Sequence, residues 1–503
     1  QIAALAGKLI DKIDASDNVL ALSVAQYKAL GSVTLTAGDQ VTLRDTGTNL
    51  ATLTTVELAG LVTNGIDAVA MITPSTDFLP LTVALYNAFP ATLLQGVSGT
   101  VKLVDSSTNI NALTATQIGG LAAGGIDVID ATDNVLALDF AKYEALIATT
   151  CTLTSTDVVT LSDTSAVLEA RNVAQLSALY GNGVDFIRPT GGTISLTAAQ
   201  AAALGDTKFD SADTAKIVDS GANIGLLTAA QITKLAAGNL DSIEATDGAV
   251  SLTAAQAKVL GSIHFRVADS VIVSDTGANI ATMTDVQIGA LAGDNIDRID
   301  ATDNVLTLTV AKYQALGAVA LTAGDTVTIE DTAANLQGLT HTAFGQLSAN
   351  GVDKVKLAAG QTSLSLTVAQ YQALIATSCI LTASDTVILA DTGSNLAALL
   401  PAQLSALSGN CIDKINATDV VLNLSVAQYK AIAASSCTLT SGNTVTLVDT
   451  GANIASLTST EISALASNGV DAINASDNLV SLTAAQAVAL GTVVVDAGDT
   501  VTL

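Results

Sequence analysis

The chain repeats itself at intervals of 56 to 60 residues along its length of 503 residues. An apolar residue followed by Asp marks each repeat, and this Asp recurs at positions 11, 67, 127, 185, 241, 297, 353, 413 and 471. Such repeats fold as stacked supersecondary units whose core grows with chain length. We therefore expect one continuous solenoid over residues 1–503, an excerpt of a longer chain, with repeats starting near 10, 66, 126, 184, 240, 296, 352, 412 and 470.

Each repeat contains two similar halves. IDKIDASDNVLALSVAQYKAL (10–30) aligns with VTLRDTGTNLATLTTVELAGL (41–61), which places Asp14 on Asp45 and Asn18 on Asn49. Both halves combine short β-type runs, polar turns such as AGD and DTG, and one short helical segment. The pattern predicts an α/β solenoid in which each repeat has two strand-turn-short helix coils of roughly 28 residues.

The phrase LSVAQYKAL, which begins at Leu22 and recurs with small changes, predicts how each helix begins. Ser23 is followed three residues later by Gln26, the spacing of a capping box. Leu22 and Tyr27 are then placed to form the accompanying hydrophobic staple. A helix of about two turns is too short to be stable alone, so we interpret the phrase as the structural start of a helix that neighbouring coils bury.

Charge and composition exclude several classes of function. The formal net charge is −27, from 19 Lys and Arg against 46 Asp and Glu, and such a surface repels nucleic acid and anionic lipid. No apolar run reaches the length of roughly 18 residues that membrane insertion needs. The sequence has no G-x-S-x-G, P-loop or C-x-x-C motif, and its two histidines, His264 and His341, have no matching partners. We do not expect an enzyme.

Rows of Asp and Asn are the residues best suited to chemistry. In one interpretation their side chains bond the backbone of their own turn and of the next coil. In the other, clustered carboxylates bind Ca²⁺, the one cofactor that the sequence suggests. The candidate ligands fall in three triplets: Asp11, Asp14 and Asp17; Asp127, Asp130 and Asp133; and Asp297, Asp300 and Asp303.

Two further rows are interpreted as core. Cys151, Cys379 and Cys437 occupy one repeat position directly after a helix, where a small buried hydrophobic residue is expected rather than a disulfide. A tyrosine row occupies one helix position, with the alternative that it forms a lateral docking stripe. Its members are Tyr27, Tyr86, Tyr143, Tyr313, Tyr371 and Tyr429, and Ala replaces them at Ala201, Ala257 and Ala487.

Two resemblances bear on function. IDKIDASDNVL (10–20) and IDRIDATDNVL (296–306) resemble the leucine-rich repeat, which implies an α/β solenoid. VLTLTVAKYQALGAVALTAGDTVTI and DTGANIA resemble the tandem arrays of very large secreted bacterial surface proteins, adhesin-like and often exported by type I secretion. That resemblance implies an extracellular, non-enzymatic structural role as a filament, surface-layer or adhesin stalk element.

The partners expected for such an element are copies of itself or neighbouring repeats end to end, with a surface glycan or another cell-surface ligand as a further candidate. The alternative function is a calcium-binding secreted repeat module that folds on export.

Overall fold

A computed structural model describes residues 2–503 of the chain. Its contacts divide the chain into two compact units. The first runs to Val250 and includes Val259–Asp269, and the second comprises Ser251–Lys258 and Ser270–Leu503. The single continuous solenoid over residues 1–503 stays a prediction.

Short strands and short helices alternate throughout both units. The strands are β1 Lys12–Ile13, β2 Val19–Leu22, β3 Thr34–Leu35, β4 Gln40–Asp45, β5 Ala68–Met71, β6 Phe78–Leu81, β7 Thr100–Asp105, β8 Val128–Ala131, β9 Val135–Leu138, β10 Thr152–Leu153, β11 Val158–Asp163, β12 Phe186–Pro189, β13 Thr193–Leu196, β14 Lys208–Phe209, β15 Thr214–Asp219, β16 Ser242–Ala245, β17 Ala249–Leu252, β18 His264–Phe265, β19 Ser270–Asp275, β20 Arg298–Ala301, β21 Val305–Leu308, β22 Ala320–Leu321, β23 Thr326–Asp331, β24 Lys354–Leu357, β25 Leu364–Leu366, β26 Ile380–Leu381, β27 Val387–Asp391, β28 Lys414–Ala417, β29 Val421–Leu424, β30 Thr438–Leu439, β31 Thr444–Asp449, β32 Ala472–Ala475, β33 Leu479–Ser481, β34 Val494–Val495 and β35 Thr500–Thr502.

The α-helices are α1 Val24–Lys28, α2 Gly47–Leu50, α3 Thr55–Ala59, α4 Val83–Ala88, α5 Ala91–Leu94, α6 Ser107–Asn111, α7 Ala115–Gly119, α8 Phe140–Ile147, α9 Ser165–Glu169, α10 Val173–Ser177, α11 Ala198–Ala203, α12 Gly221–Gly225, α13 Ala229–Ala237, α14 Ala254–Ala257, α15 Gly277–Ala281, α16 Asp285–Leu291, α17 Val310–Ala315, α18 Ala333–Gln337, α19 His341–Gln346, α20 Val368–Ile375, α21 Gly393–Ala397, α22 Pro401–Ser405, α23 Val426–Ala433, α24 Gly451–Ala455, α25 Ser459–Ala464 and α26 Ala484–Ala489. Within residues 2–503, 3-10 turns lie at Ile2–Ala4, Ala6–Lys8, Tyr180–Asn182, Ser408–Asn410 and Ala466–Asn468. No described helix combines the length and apolarity that crossing a bilayer requires.

Successive coils pair through parallel strands. In the first unit one sheet has the order β9-β11-β12-β14, and in the second unit an equivalent sheet has the order β21-β23-β24-β26. Every pairing in these two sheets is parallel. Parallel strands need a crossover connection, and here short helices lie in those connections. These repeated parallel strand-helix units confirm the predicted α/β solenoid-like repeat fold.

The two halves of a repeat differ more than their sequences suggest. The first half has two four-residue strands joined by a turn, such as β20 and β21, followed by one helix. The second half has a two-residue strand, a six-residue strand and two helices, such as β22, β23, α18 and α19. The third residue of β20 is Asp300, whereas Asp331 ends β23. The aligned Asp positions of the two halves are therefore not structurally equivalent.

Leu, Ile and Val of alternate strand positions form the core. In β23 Val327 and Ile329 are fully buried, and the residues of the opposite face, Thr326, Thr328 and Glu330, are polar. The predicted capping box is present at Ser23 with Gln26, and an equivalent one is present at Thr54 with Glu57. Capping determines where each helix begins, and burial of its apolar face stabilises it, because so short a helix lacks stability of its own.

Candidate functional site

One row of carboxylates bonds each second-half coil to the coil that follows. Asp127 Oδ2 accepts the backbone N–H of Val101 at 2.8 Å, and the Asp127 N–H donates to the Val101 carbonyl at 2.9 Å. Bonds to an ionised acceptor are stronger than those between neutral groups. The same reciprocal pair, always between residues 26 apart, recurs through the chain. We call these residues the inter-coil row: Asp67, Asp127, Asp185, Asp241, Asp297, Asp353, Asp413 and Asp471.

A second row ends the long strands and caps the helix of the preceding coil. Asp331 Oδ2 accepts the N–H of Val310, the first residue of α17, at 2.9 Å. Its other oxygen accepts the Thr332 N–H at 2.7 Å and the Asn335 side-chain amide at 2.8 Å. We call the equivalent residues the strand-end row: Asp45, Asp105, Asp163, Asp219, Asp275, Asp331, Asp391 and Asp449.

Hydrogen bonds keep seven of the strand-end carboxylates ionised. Burial opposes the ionisation of Asp331, but the donors on Asn335, Thr332 and Val310 outweigh burial and hold its pKa below the ordinary value. The pKa is lowered in the same way at Asp45, Asp105, Asp219, Asp275, Asp391 and Asp449. Each of these seven carboxylates has an Asn four residues later, whereas Asp163 has Val167 there.

A third row is more deeply buried and less well satisfied. Asp157 is only 5 % exposed; its Oδ2 accepts the Ala131 N–H at 2.8 Å, and none of the residues 2–503 bonds its Oδ1. Burial raises the pKa of Asp157 against the effect of that bond, and the carboxylates of Asp130 and Asp133 raise it further. Asp325 has the same arrangement. We call this the buried-turn row: Asp39, Asp157, Asp269, Asp325, Asp385 and Asp499, of which Asp385 and Asp499 are half-buried.

Two positions of the buried-turn row show how the second oxygen can be satisfied. Arg266 donates to Asp269 Oδ1 through Nε at 3.0 Å and Nη2 at 2.6 Å. Asn443 replaces the aspartate in a later repeat. In the amide orientation that suits its neighbours, Asn443 accepts the Ala417 N–H at 3.0 Å and donates to Asn416 Oδ1 at 3.3 Å and to the Ala417 carbonyl at 3.1 Å.

We expect Asp157→Asn to stabilise the protein by about 1 kcal/mol at neutral pH. The Asn oxygen keeps the bond from Ala131, and its nitrogen gains Asp130 and the Ala131 carbonyl as acceptors, as at Asn443. The carboxylate has a raised pKa, so its ionised form destabilises the fold at neutral pH, and this cost is relieved as pH falls through the folded-state pKa. The gain of the variant should therefore shrink in acid, measured by urea unfolding.

The matched control is Asp269→Asn, the same change where Arg266 already satisfies the second oxygen. This substitution removes a charge pair and should lower stability. If both variants shift the unfolding midpoint in the same direction, the unpartnered oxygen of Asp157 is not what destabilises the carboxylate.

The predicted calcium triplets lie among these rows. In two of them each carboxylate faces a group of the preceding coil: Asp130 and Asp300 lie against Lys102 and the Ser274 hydroxyl, while Asp133 and Asp303 accept the N–H groups of Ser107 and Gly277. In the first triplet Asp17 accepts the Val19 N–H at 3.3 Å, the Asp11 carbonyl accepts the Thr34 N–H, and Asp14 follows β1.

Within residues 2–503, no three His, Cys, Asp or Glu side chains form a group that could hold a metal ion. Calcium binding stays a prediction. Sequence reasoning missed Asp157 and Asp325, the carboxylates beside the second and third triplets, although their recurrence in turns such as TAGD was visible.

The tyrosine row lies in the core, apart from Tyr86, and positions a turn. Tyr143 is 1 % exposed, and its hydroxyl accepts the side-chain amide of Asn182 at 3.0 Å. The same bond joins Tyr27 to Asn64, Tyr313 to Asn350, Tyr371 to Asn410 and Tyr429 to Asn468. These five side chains are buried, so the core interpretation is confirmed for them.

Across the part of the chain that the structure describes, the cysteines and histidines form no common metal centre. Cys151, Cys379 and Cys437 are free, buried thiols, as predicted. Burial, with a nearby aspartate, raises the pKa of each to about 12, which keeps the thiol protonated and unreactive. His264 lies in β18, and His341 begins α19.

Open grooves recur beside the tyrosine row. The first lies between the turn that carries Cys151 and the turn that carries Asn182, with a volume of about 740 Å³. Equivalent grooves adjoin Asn64, Asn350, Asn410 and Asn468. Each is lined by a leucine of a two-residue strand: Leu35, Leu153, Leu321, Leu381 or Leu439.

Comparison with known proteins yields only distant structural likeness. No protein-family model and no curated protein matches the chain. A plant peptide hormone receptor, RGFR1 in complex with RGF2, is similar over 96 % of this chain and 74 % of its own, with 10 % identity and a TM-score of 0.19.

Two structures of the Arabidopsis receptor kinase HAESA are similar at 10 % identity over 92 % of this chain. One, in complex with the peptide hormone IDA and the co-receptor SERK1, is covered over 65 % with a TM-score of 0.17. The other, an LRR ectodomain with an extended IDA peptide, is covered over 62 % with a TM-score of 0.14. Scores of this size do not establish a common fold, so the repeat architecture rests on the strand pairing of the chain itself.

Proposed function

We propose that this chain is a non-enzymatic structural repeat element of the bacterial cell surface, part of a stalk, filament, surface layer or adhesin spacer. Each repeat of 56 to 60 residues supplies two coils. The partners of such an element are neighbouring repeats or copies of itself, and its place is extracellular. The resemblance to large secreted arrays and the net charge of −27 support this proposal.

The inter-coil row is the observation that carries the proposal. The carboxylates of this row bond one coil to the next at 2.7 to 2.8 Å in eight repeats. Charge-assisted bonds between coils resist separation along the stack. A chain bonded in this way is suited to carry a tensile load between its ends.

The test is to stretch the 503-residue chain between its ends with optical tweezers. We expect unfolding in steps of whole repeats, each about 20 nm of extended chain for 56 residues. Asp297→Ala removes the bond to Val271 and should lower the force of one step. The control is Asp285→Ala, at an exposed residue outside the rows. Extension without steps, or equal effects of the two substitutions, would refute a load-bearing role for the row.

A calcium-binding module that folds on export is the second candidate. The observation in its favour is the unpartnered oxygen of Asp157. In addition to burial, the negative charges of Asp130 and Asp133 act on this carboxylate and raise its pKa. An ion held only by the folded state would raise the melting temperature by mass action.

The measurement is a thermal melt by circular dichroism in EDTA and then in millimolar Ca²⁺, with Mg²⁺ as the control ion. For a metal-independent structural array we expect identical melts. A rise of many degrees that calcium alone produces would replace the structural proposal with the calcium-binding one.

A further inference from the structure

The recurring groove borders a strand edge whose peptide groups point away from the sheet. In the first unit Thr152 donates its N–H to the Asp127 carbonyl, and Thr154 donates to the Ile129 carbonyl. In a parallel ladder the residue between two such donors presents its own N–H and C=O to the opposite side. That residue is Leu153 in β10, the last strand of its sheet, and it lines the groove.

The described residues supply no hydrogen bond to the Leu153 N–H or C=O. The same alternation holds at Leu35, Leu321, Leu381 and Leu439, where the flanking residues donate to the preceding coil. Each of these leucines therefore offers one donor and one acceptor to its groove. A strand edge of this kind is what an added strand pairs with.

The repeat that contains Phe209 shows what such an edge bonds, because there the chain itself covers the edge. Phe209 occupies the position of Leu153, and its N–H donates to the Gly238 carbonyl at 2.9 Å. The Asn239 side-chain amide donates to the Phe209 carbonyl at 2.9 Å. A carbonyl and an amide N–H thus satisfy this edge together, which is the pair that an extended peptide presents.

Two residue differences between the repeats together determine whether the edge is covered. In that repeat Ala201 stands at the tyrosine position, and Phe209 replaces the leucine. Ala201 has no hydroxyl that could bond the following turn as the tyrosines do. That turn instead reaches the edge through the side chain of Asn239, whose backbone is left-handed with a φ of 63°. In the groove of Leu153 the left-handed residue of the turn is Gly183, which has no side chain to reach the edge.

The geometry points to these five grooves as binding sites for extended peptide, recognised through the backbone N–H and C=O of Leu35, Leu153, Leu321, Leu381 and Leu439. The segment would add to the two-residue strand as a parallel neighbour, with its carbonyl on the leucine N–H and its N–H on the leucine carbonyl. This function goes beyond the structural role and does not depend on it.

The test uses the full chain labelled with ¹⁵N-leucine and ¹⁵N-phenylalanine, titrated with N-acetylglycine N-methylamide and followed by NMR. We expect the amide signals of the five leucines to shift in a saturable way and that of Phe209 to stay. N-acetylglucosamine, which carries the same amide on a sugar, is the parallel arm. Shifts with the sugar and none with the peptide would overturn the commitment to peptide.

Gly183→Asn is designed to cover the Leu153 edge as Asn239 covers that of Phe209. Asn tolerates the left-handed backbone, and a Cβ at this position would lie 3.8 Å from the Leu153 side chain, an ordinary contact. We expect binding at Leu153 alone to weaken by roughly tenfold or more. Gly181→Asn, on the same turn with no atom near its Cβ, is the matched control and should leave binding unchanged.

The reciprocal change is Asn239→Gly, which frees the Phe209 carbonyl while the Phe209 N–H still donates to the Gly238 carbonyl. Phe209 should then respond to the peptide, but more weakly than the five leucines. An unchanged melting curve for each variant shows that it is folded. No shift at any leucine with tens of millimolar peptide, or full binding at Leu153 in Gly183→Asn, would overturn the proposal.

Discussion

Replacing Gly277 by alanine is expected to destabilise the second unit by about 3 kcal/mol. Gly277 begins α15, and its N–H donates to Asp303 at 2.9 Å. A Cβ there would lie 1.7 Å from the Val305 carbonyl oxygen of the following coil. Because this contact is with backbone, the substitution forces β21 to move away from α15. Hydrogen exchange of peptides covering both elements should show the loss directly.

The natural control is one repeat further along the chain. Ala333 occupies the position of Gly277 in the next second half, and the strand that follows it, β25, is one residue shorter than β21. Ala333→Gly should cost under about 1 kcal/mol, the effect of glycine on a helix alone. Equal losses in the two variants would show that the close approach to Val305 does not determine the need for glycine.

Replacing Asp331 by alanine is expected to cost about 3 kcal/mol, because it leaves three donors without their acceptor. These are the N–H groups of Val310 and Thr332 and the side-chain amide of Asn335. The loss should include fraying of α17, whose first N–H loses its partner. Urea unfolding and hydrogen exchange over α17 measure the effect.

Asn335→Val copies the natural pair of Asp163 and Val167 and should cost only about 1 kcal/mol. Asp331→Ala and Asn335→Val would lose the same stability only if the backbone N–H bonds to Asp331 contributed nothing. Equal losses would therefore contradict the prediction.

The effect of Asp331 should depend on pH in a definite direction. Its pKa is lowered from 3.8 on folding, so its contribution is fully present above that value and is lost as pH falls through the lower, folded-state pKa. The difference in stability between the natural chain and Asp331→Ala should therefore be constant near neutral pH and shrink in acid. Seven carboxylates of this row share the shift, so the whole chain should lose stability in strong acid, partly offset by the raised pKa of Asp157, Asp213 and Asp325.

The sequence by itself determined the features that depend on near neighbours. The capping box of Ser23 and Gln26 spans three residues, and the bond from Asn335 to Asp331 spans four. Helix and turn geometry sets such contacts, so spacing along the chain predicts them. The repeat period and the buried cysteines were predictable for a related reason, because a position that recurs in every coil meets the same surroundings each time.

Only the tertiary structure decided which coil each aspartate bonds. Asp127 reaches Val101 across 26 residues, and Asp331 reaches Val310 across 21. These partners depend on the register of parallel strands, which is set by how many residues each coil uses and by how its core packs. Asp14 and Asp45 align in sequence, but Asp14 follows the two-residue strand β1 whereas Asp45 ends the six-residue strand β4, so the alignment could not predict their separate roles. The unpartnered oxygen of Asp157 and the open edge at Leu153 likewise follow from what the neighbouring coil places beside them.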